Sequence, residues 1–368
     1  MTLKEQLFNL DTVSSLTKSI KISFSEFNEE AFIEEALIQF KDKELKERIT
    51  VLTHLLEKYL PSDFLKATAI LLESKKNASS GMFVYGSFLE YVEFNGCNEL
   101  YVDYSLEVLE ELTKLFSAEF VIRRFFNEFL EKTYNAFIKW SQSDDYDVRR
   151  LASEGSRPKL PWAVKIDLDY TRCKPILDSL FYDDVRYVTR SVANHLNDIS
   201  KIDPDFVLSI LKEWKKSERQ NASEMKYIIN HSLRTLVKKG HVPTLNFLGF
   251  NNNVLVTLEN LTLNKKSLKI GETVEFSFDV IPEEDSNLII DYIIEYPSST
   301  KKISKKVYKL KVCEVKKGKK VVCKGKRSFK EISTRKMKVG THKVTIQVNG
   351  KEYLNEKFEL IQNINQHS

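Results

Sequence analysis

The sequence predicts a mainly α chain: a solenoid of stacked helices followed by a small all-β sandwich. Three observations predict it. Apolar residues recur at helical spacing through residues 1–250. Within that region a block repeats at intervals of about 40 residues, the period of a two-helix unit. From residue 254 the pattern changes to short alternating runs separated by turn residues. The expected domains are therefore 1–250 and 254–362.

In chain order, Leu3, Leu7, Leu10, Val13, Leu16 and Ile20 form a weakly amphipathic start, and Phe27, Phe32, Ile33, Ala36, Leu37 and Phe40 continue at helical spacing. Leu45, Ile49, Leu52, Leu55, Leu56 and Tyr59 make an apolar stripe that Pro61 breaks. Phe64 to Leu72 is a further helix, Lys75 to Gly81 a loop, and the helix through Phe88, Tyr91 and Val92 closes at Asn95-Gly96. Tyr101 to Phe116 reads as helix. Ser117 then reads as the N-cap of the next one, with Glu119 in its first turn, where the helix dipole favours an acid.

The repeat begins near Asp144. Residues 147–154 align with 187–194 and 227–234: Val148, Val188 and Ile228 coincide, as do Ala152, Val192 and Ser232. The helices Pro175–Leu180, Pro204–Trp214 and Val242–Leu248 intervene or follow. This is the HEAT-type signature, an α-α superhelix in which each unit buries its face against the next and one set of helices lines a concave wall. Positions 150, 190 and 230 and positions 154, 194 and 234 then recur on one side of that wall.

After Asn251-Asn252-Asn253, strand-like runs cover Val254–Leu258, Leu268–Val280 (with a turn at Gly271), Leu288–Tyr296, Lys305–Val315, Lys320–Lys326, His342–Val348 and Glu352–Leu360. Asn349-Gly350 is a strong hairpin turn. Roughly seven short strands in this length match an immunoglobulin-like sandwich, here without the Cys…Trp…Cys core of antibody domains.

Composition excludes several classes. At 42% hydrophobic residues a sizeable core is available, and 11 Gly and 8 Pro argue against a loop-rich chain. The start predicts no signal peptide, and no apolar run of 18 residues predicts a membrane span. Cys97, Cys173, Cys313 and Cys323 form no CxxC pair, and with six scattered histidines no zinc site emerges. Free thiols in a reducing cytoplasm are expected, with Cys313 and Cys323 as strand residues. The absence of P-loop, GxGxxG, HExxH and GxSxG motifs removes the commonest NTPase, dinucleotide, metalloprotease and hydrolase readings, and no cofactor is implied. Charge is unevenly placed: from residue 254 onward 23 basic residues face 14 acidic ones, a net +9, and the remainder carries −4. Between Lys301 and Lys343 the ratio is 18 to 2. Such a run suggests nucleic acid as partner, or else a lysine-rich solubility surface.

Chemistry gathers at 147–162, Asp-Val-Arg-Arg-Leu-Ala-Ser-Glu-Gly-Ser-Arg-Pro-Lys-Leu-Pro-Trp. Val148, Leu151 and Ala152 share a helix face that Gly155 and Pro158 end, so Glu154 falls at a helix C-terminus, where the dipole disfavours an acid. Arg149, Arg150, Arg157 and Lys159 crowd around it and Trp162 follows. The stretch is either a solvated charge cluster or a carboxylate site among cations beside an aromatic face. Glu119 and, in the next unit, Asn194, His195, Asn197 and Asp198 complete the polar residues of the wall. His195 and Asp198, three apart, share a helix face as a structural hydrogen bond or a catalytic dyad.

Residues 147–162 resemble the signature of the DNA alkylation repair glycosylase family, AlkC branch. Ser-Val-Ala-Asn-His-Leu-Asn-Asp-Ile (191–199) and His-Ser-Leu-Arg-Thr-Leu-Val-Lys-Lys-Gly (231–240) are similar to its later repeats, and Ser-Ala-Glu-Phe-Val-Ile-Arg-Arg-Phe (117–125) to its earlier acidic element. The resemblance covers roughly residues 1–250, and an immunoglobulin-like tail fits part of that branch. It implies a monofunctional DNA glycosylase for cationic N-alkylated bases, 3-methyladenine and 3-methylcytosine, acting on duplex DNA; a monomer is taken only by default. It carries the active-site acids onto Glu119 and Glu154, the site aromatic onto Trp162, and a third acid onto Asp198, with Asp203 and Asp205 close by. Carboxylates suit the oxocarbenium character of the sugar as the base leaves. Arg149, Arg150, Arg157, Lys159, Arg190, Arg234 and Lys238, with Asn194 and His195, are the expected DNA contacts. A non-catalytic scaffold and a DNA-damage-binding protein stand as alternatives, since helical-repeat arrays are mostly interaction modules.

Overall fold

The computed structural model describes residues 2–297, 304–331 and 336–362. Packing divides the chain into two compact units, Met1–Ser232 and Leu233–Ser368. The described helices are α1 (Leu3–Leu7), α2 (Leu10–Ser23), α3 (Glu29–Gln39), α4 (Leu45–Tyr59), α5 (Phe64–Lys75), α6 (Gly86–Gly96), α7 (Val102–Leu112), α8 (Ile122–Glu128), α9 (Leu130–Trp140), α10 (Tyr146–Glu154), α11 (Lys174–Leu180), α12 (Arg186–Ile199), α13 (Pro204–Ser217), α14 (Ala222–Lys238) and α15 (Val242–Phe247). Among the described residues, no helix is long and apolar enough to cross a membrane.

In the first unit most of the apolar stripes bury as the periodicity predicts, but Leu3, Leu10 and Leu37 are exposed. Leu52, Leu55 and Leu56 of α4 and Val188, Val192 and Leu196 of α12 are all core residues. Large aromatic side chains fill the layers between helices. Phe126, Phe137 and Trp140 pack edge to face and tilted, and Phe181 stacks on Trp214 with centroids 4.4 Å apart. The buried indoles keep polar partners: Trp140 Nε1 donates to Glu110 at 2.8 Å and Trp214 Nε1 to Asp178 at 2.7 Å. α10 packs on α12, and α12 in turn bonds α14 through Thr189 to Glu224 and through Asn194 and His231.

One local expectation is corrected. Ser117 caps no helix. Residues 119–121 form a turn, α8 starts at Ile122, and no side chain caps it. Ser117 Oγ donates instead to the Glu119 carboxylate at 3.0 Å.

The second unit holds two sheets packed face to face. Its strands are β1 (Val256–Leu263), β2 (Ser267–Lys269), β3 (Thr273–Pro282), β4 (Ser286–Tyr296), β5 (Ser304–Val315), β6 (Val321–Ser328), β7 (Gly340–Val348) and β8 (Lys351–Ile361). The sheet orders are β1-β3-β6 and β2-β8-β7-β4-β5. Pairings are antiparallel except β2 with β8. Phe276, Phe278, Val280, Leu288, Ile290, Ile294, Val344, Ile346 and Phe358 form the core between them. Cys313 on β5 and Cys323 on β6 lie in different sheets, and all four cysteines are free. Lys301, Lys302 and Arg335 of the basic run fall outside the described residues.

The hairpin turn at Asn349-Gly350 is as read, with φ of 44° and 82°. It is also tied to the start of the unit. Asn349 Nδ2 donates to the Asn251 carbonyl at 2.7 Å, and Asn252 Nδ2 returns a bond to the Asn349 carbonyl at 2.8 Å. Gly240, at φ 67°, lies so close that a Cβ there would stand 2.7 Å from the Gly350 backbone. A side chain at position 240 meets both a left-handed backbone and a wall of main chain. Gly240→Ala is expected to cost about 2–4 kcal/mol, read as a lowered urea midpoint. An unchanged midpoint would show that the two backbones do not press together.

Candidate active site

Helix α10 delivers the central acid. Asp145 caps its start, accepting from the amides of Asp147 at 2.9 Å and Val148 at 3.3 Å. Val148, Leu151 and Ala152 bury one face. Arg150 and Glu154, one turn apart, therefore share another side. The helix stops at Gly155, whose φ of −65° is ordinary helical backbone. Glycine stands there for space: a Cβ would lie 2.9 Å from Ile122 and 3.0 Å from Phe137.

Around Glu154 the charges alternate. Arg150 donates to the Glu119 carboxylate and lies 3.6 Å from Glu154 Oε1. Arg157 Nη1 reaches the same Glu154 oxygen at 2.5 Å. The other face of the Arg157 guanidinium holds Asp198 Oδ2, at 2.9 Å from Nε and 2.7 Å from Nη2. Lys201 closes the row on Asp198 Oδ1 at 2.9 Å. Ser191 Oγ donates to Glu154 Oε2 at 2.6 Å. Burial pushes the Glu154 carboxyl up, but Arg150, Arg157 and the Ser191 hydroxyl outweigh it and hold the group below the usual carboxylate range. Burial likewise works against the charge on Arg150 and Arg157, and their carboxylate partners more than restore it.

Glu119, Glu154 and Asp198 are thus brought together. Asp203 is elsewhere: it caps α13 at the Phe206 amide and accepts from Tyr170. Asp205 sits in the first turn of α13. Trp162 lies on the loop after α10, with a left-handed φ of 60° and 87% of its surface exposed. Lys46 ties it to the acidic element: its ammonium bonds the Trp162 carbonyl at 2.5 Å and lies 4.5 Å from the Phe120 ring centroid.

The expected DNA contacts divide. Lys159 and Arg190 are exposed and Asn194 half-buried. Arg234 and Lys238 belong to the second unit. Arg149, Arg150, Arg157 and His195 are each held by internal partners. Arg149 forks onto Asp183 at 2.5 and 3.2 Å and donates to two carbonyls. Arg150 and Arg157 belong to the charge row. His195 is buried and makes no dyad with Asp198; its Nδ1 pairs with the Ser153 carbonyl at 2.9 Å.

Several participants escaped the sequence reading. Ser191 aligns with Leu151 in the repeat, so nothing marked it as polar machinery. Tyr187, half-buried, places its ring 4.9 Å from the Arg150 guanidinium. Arg123 is buried on α8 while its neighbour Arg124 is exposed, and nothing in the sequence Ile-Arg-Arg-Phe-Phe separated the two. Among the described residues, no group of three or more His, Cys, Asp or Glu side chains forms a metal site.

The chain has clear relatives. A family model described as "Uncharacterised protein YhaZ, C-terminal Ig-like domain" matches residues 257–362 and gives the β unit its immunoglobulin-like description. A protein of Bacillus subtilis (strain 168), "Uncharacterized protein YhaZ", is 32% identical over 352 residues, 94% of this chain and 96% of its own. The alkylpurine DNA glycosylase AlkC of Pseudomonas fluorescens, solved bound to DNA containing an abasic site analog, is 31% identical with a TM-score of 0.90, covering 98% of this chain and all of its own.

Burial lowers the His195 pKa from 6.5 to about 4; Arg157 adds to the fall, and the Ser153 bond, Asp198 and Glu154 oppose it. The unfolded chain binds a proton between those values and the folded one does not. This contribution to stability is therefore present above pH 6.5 and is lost as pH falls toward 4, an effect on the order of 3 kcal/mol. His195→Gln is expected to flatten the pH dependence of the urea midpoint across that window. A slope equal to the wild type's would place the titration elsewhere.

Proposed function

Because the chain belongs to the AlkC branch of the DNA alkylation repair glycosylase family, we propose that it is a monofunctional DNA glycosylase. It hydrolyses the N-glycosidic bond of cationic alkylated bases, 3-methyladenine and 3-methylcytosine, in duplex DNA and so initiates base excision repair. The helical region 1–250 is read as a HEAT-like solenoid carrying the reaction, and the sandwich 254–362 as a basic DNA-binding module.

One observation carries the reading. Glu154 is held ionised by two guanidiniums and a hydroxyl, so it has no proton to give. Glu154 is therefore unsuited to protonating a leaving group and suits a base that already bears a positive charge. As the bond breaks, positive charge grows on the sugar, and a preorganised carboxylate stabilises it. Glu119 takes that place and orients the water. Its side chain is 16% exposed, against 7% for Glu154 and 2% for Asp198. Glu154 and Asp198, behind it, keep Arg150 and Arg157 in position. Trp162 offers its ring face to the cationic base, an attraction of roughly 0.5–2 kcal/mol. It stands out from the surface rather than lining a recess, which favours access through DNA bending over a flipped base. Lys159, Arg190, Arg234 and Lys238 supply phosphate contacts without sequence preference.

The wild-type protein is expected to release free 3-methyladenine from methylated duplex DNA. Glu119→Gln should slow single-turnover release by about 10²–10³-fold, with some loss of melting temperature because Arg150 loses its nearer carboxylate partner. Glu154→Gln should lose release and also lower the melting temperature, because it leaves two buried guanidiniums sharing too little negative charge, a cost of roughly 3–5 kcal/mol. A wild-type protein that binds the damaged duplex but frees no base would be a damage binder or scaffold instead.

The sandwich lysines give a second test. Lys309 on β5 and Lys324 and Lys326 on β6 are exposed. Replacing all three with Gln is expected to flatten the dependence of log binding constant on log salt by about 0.9 for each phosphate that is no longer neutralised, with the saturated chemical step unchanged. An unaltered slope would make the lysine run a solubility surface.

A further inference from the structure

Arg123 stands outside the charge row and is 1% exposed on α8. Among the described residues it has no carboxylate within ion-pair distance; the row's acids lie on Arg150, Arg157 and Lys201 instead. Its guanidinium goes to main chain. Nε donates to the Val164 carbonyl at 2.5 Å, and Nη1 to the carbonyls of Gly155 at 3.0 Å and Arg157 at 2.9 Å. Those carbonyls lie at the start and in the middle of the loop, residues 155–169, that follows α10. Asn127, on the same face of α8 one turn later, holds the next stretch through the Lys165 carbonyl at 3.0 Å and the Asp167 amide at 3.2 Å.

The loop so clamped carries two site residues. At its base is Arg157, which bridges Glu154 and Asp198. Near its tip is Trp162, in a backbone conformation that a tryptophan adopts only when its surroundings impose it. Leaving carbonyls unbonded in a buried turn is costly, and burying an uncompensated cation is costlier still. The guanidinium fork, with several donors in one plane, answers both requirements at once; an ammonium has neither its span nor its planarity.

We propose that Arg123 is a positioning residue: by joining the Gly155, Arg157 and Val164 carbonyls it fixes the loop that sets Arg157 against the two acids and presents Trp162. The role rests on the glycosylase reading above, but its structural half is measurable without activity. The chain has three tryptophans, and Trp140 and Trp214 are buried while Trp162 is exposed. Full-length protein labelled with 5-fluorotryptophan gives separate ¹⁹F resonances, with Trp162 assigned from Trp162→Phe. In Arg123→Lys the Trp162 resonance should shift or broaden while those of Trp140 and Trp214 stay in place. Single-turnover release of 3-methyladenine should fall about 10²-fold, with affinity for undamaged duplex within twofold. In Arg123→Ala, millimolar guanidinium should restore part of both signals. The proposal is overturned if the Trp162 resonance and the release rate match the wild type's in a folded variant. It is equally overturned if all three tryptophan resonances move together, since Arg123 would then be a general fold residue. Should the wild type release no base, the activity reading fails, and the ¹⁹F spectra alone still decide whether the clamp exists.

Discussion

Glu119, Arg150, Glu154, Arg157, Asp198 and Lys201 form a row in which each charge touches one of opposite sign. Three acids meet three cations, and the inner members are almost wholly withdrawn from water. Such a row is a poor source of net stability, because desolvation consumes much of the attraction. Its effect is on specificity of arrangement. The members come from the turn before α8, from α10, from the loop after it, and from α12 with the turn that ends it. Moving any one of these elements strands a buried charge, so the four are fixed relative to one another.

The stacking of helices makes the row possible. Two of the row's five links and two bonds beside it cross one layer: Arg150 to Glu119 spans 31 residues, Ser191 to Glu154 spans 37, Arg157 to Asp198 spans 41, and His195 to Ser153 spans 42. A helix C-terminus is a bad place for a carboxylate when the helix is considered alone. Here the adjoining layer brings Ser191, and the chain reversal brings Arg157 back onto the acid. The unfavourable end of α10 becomes tolerable through Arg150 one turn before the acid and Arg157 three residues after it, with Ser191 from the next layer, and the same three groups keep the acid ionised.

This explains what could be read from the sequence and what could not. Periodicity located the helices, because burial of Val148, Val188 and Ile228 needs only local spacing. Alternation located the strands, and Asn349-Gly350 located a turn whose positive φ values demand such residues. The cations around Glu154 were legible as a cluster, but their direction was not. Arg149 lies beside Arg150 in the chain and yet serves Asp183, on a different side of the helix. His195 and Asp198 share a helix face by count, but the ring turns to a carbonyl one layer away. Ser117 had the residue type of an N-cap and lacked the helix. For Arg149 and His195 the side chain's partner lies in another layer, and residue type with spacing along one helix carries no information about it.

The row also bears on how a site built from acids could work against a polyanion. Three bare carboxylates on the wall would repel phosphates at any distance shorter than the Debye length, about 8–10 Å in ordinary salt. Alternation with cations removes that repulsion: beyond a few ångströms the row is nearly neutral. At contact distance the nearest charge dominates, and the nearest is the more exposed Glu119. A cationic base or an oxocarbenium sugar drawn against it would feel the carboxylate before the guanidinium behind it. The arginines committed to this purpose are then unavailable for gripping the backbone. Long-range attraction must come from cations outside the row, and Lys306, Lys309 and Lys311 of β5 with Lys324 and Lys326 of β6 are exposed ones. Under the proposed activity, the −4 of residues 1–253 and the +9 of the remainder express that division: local, balanced charge for chemistry, and diffuse, unbalanced charge for capture.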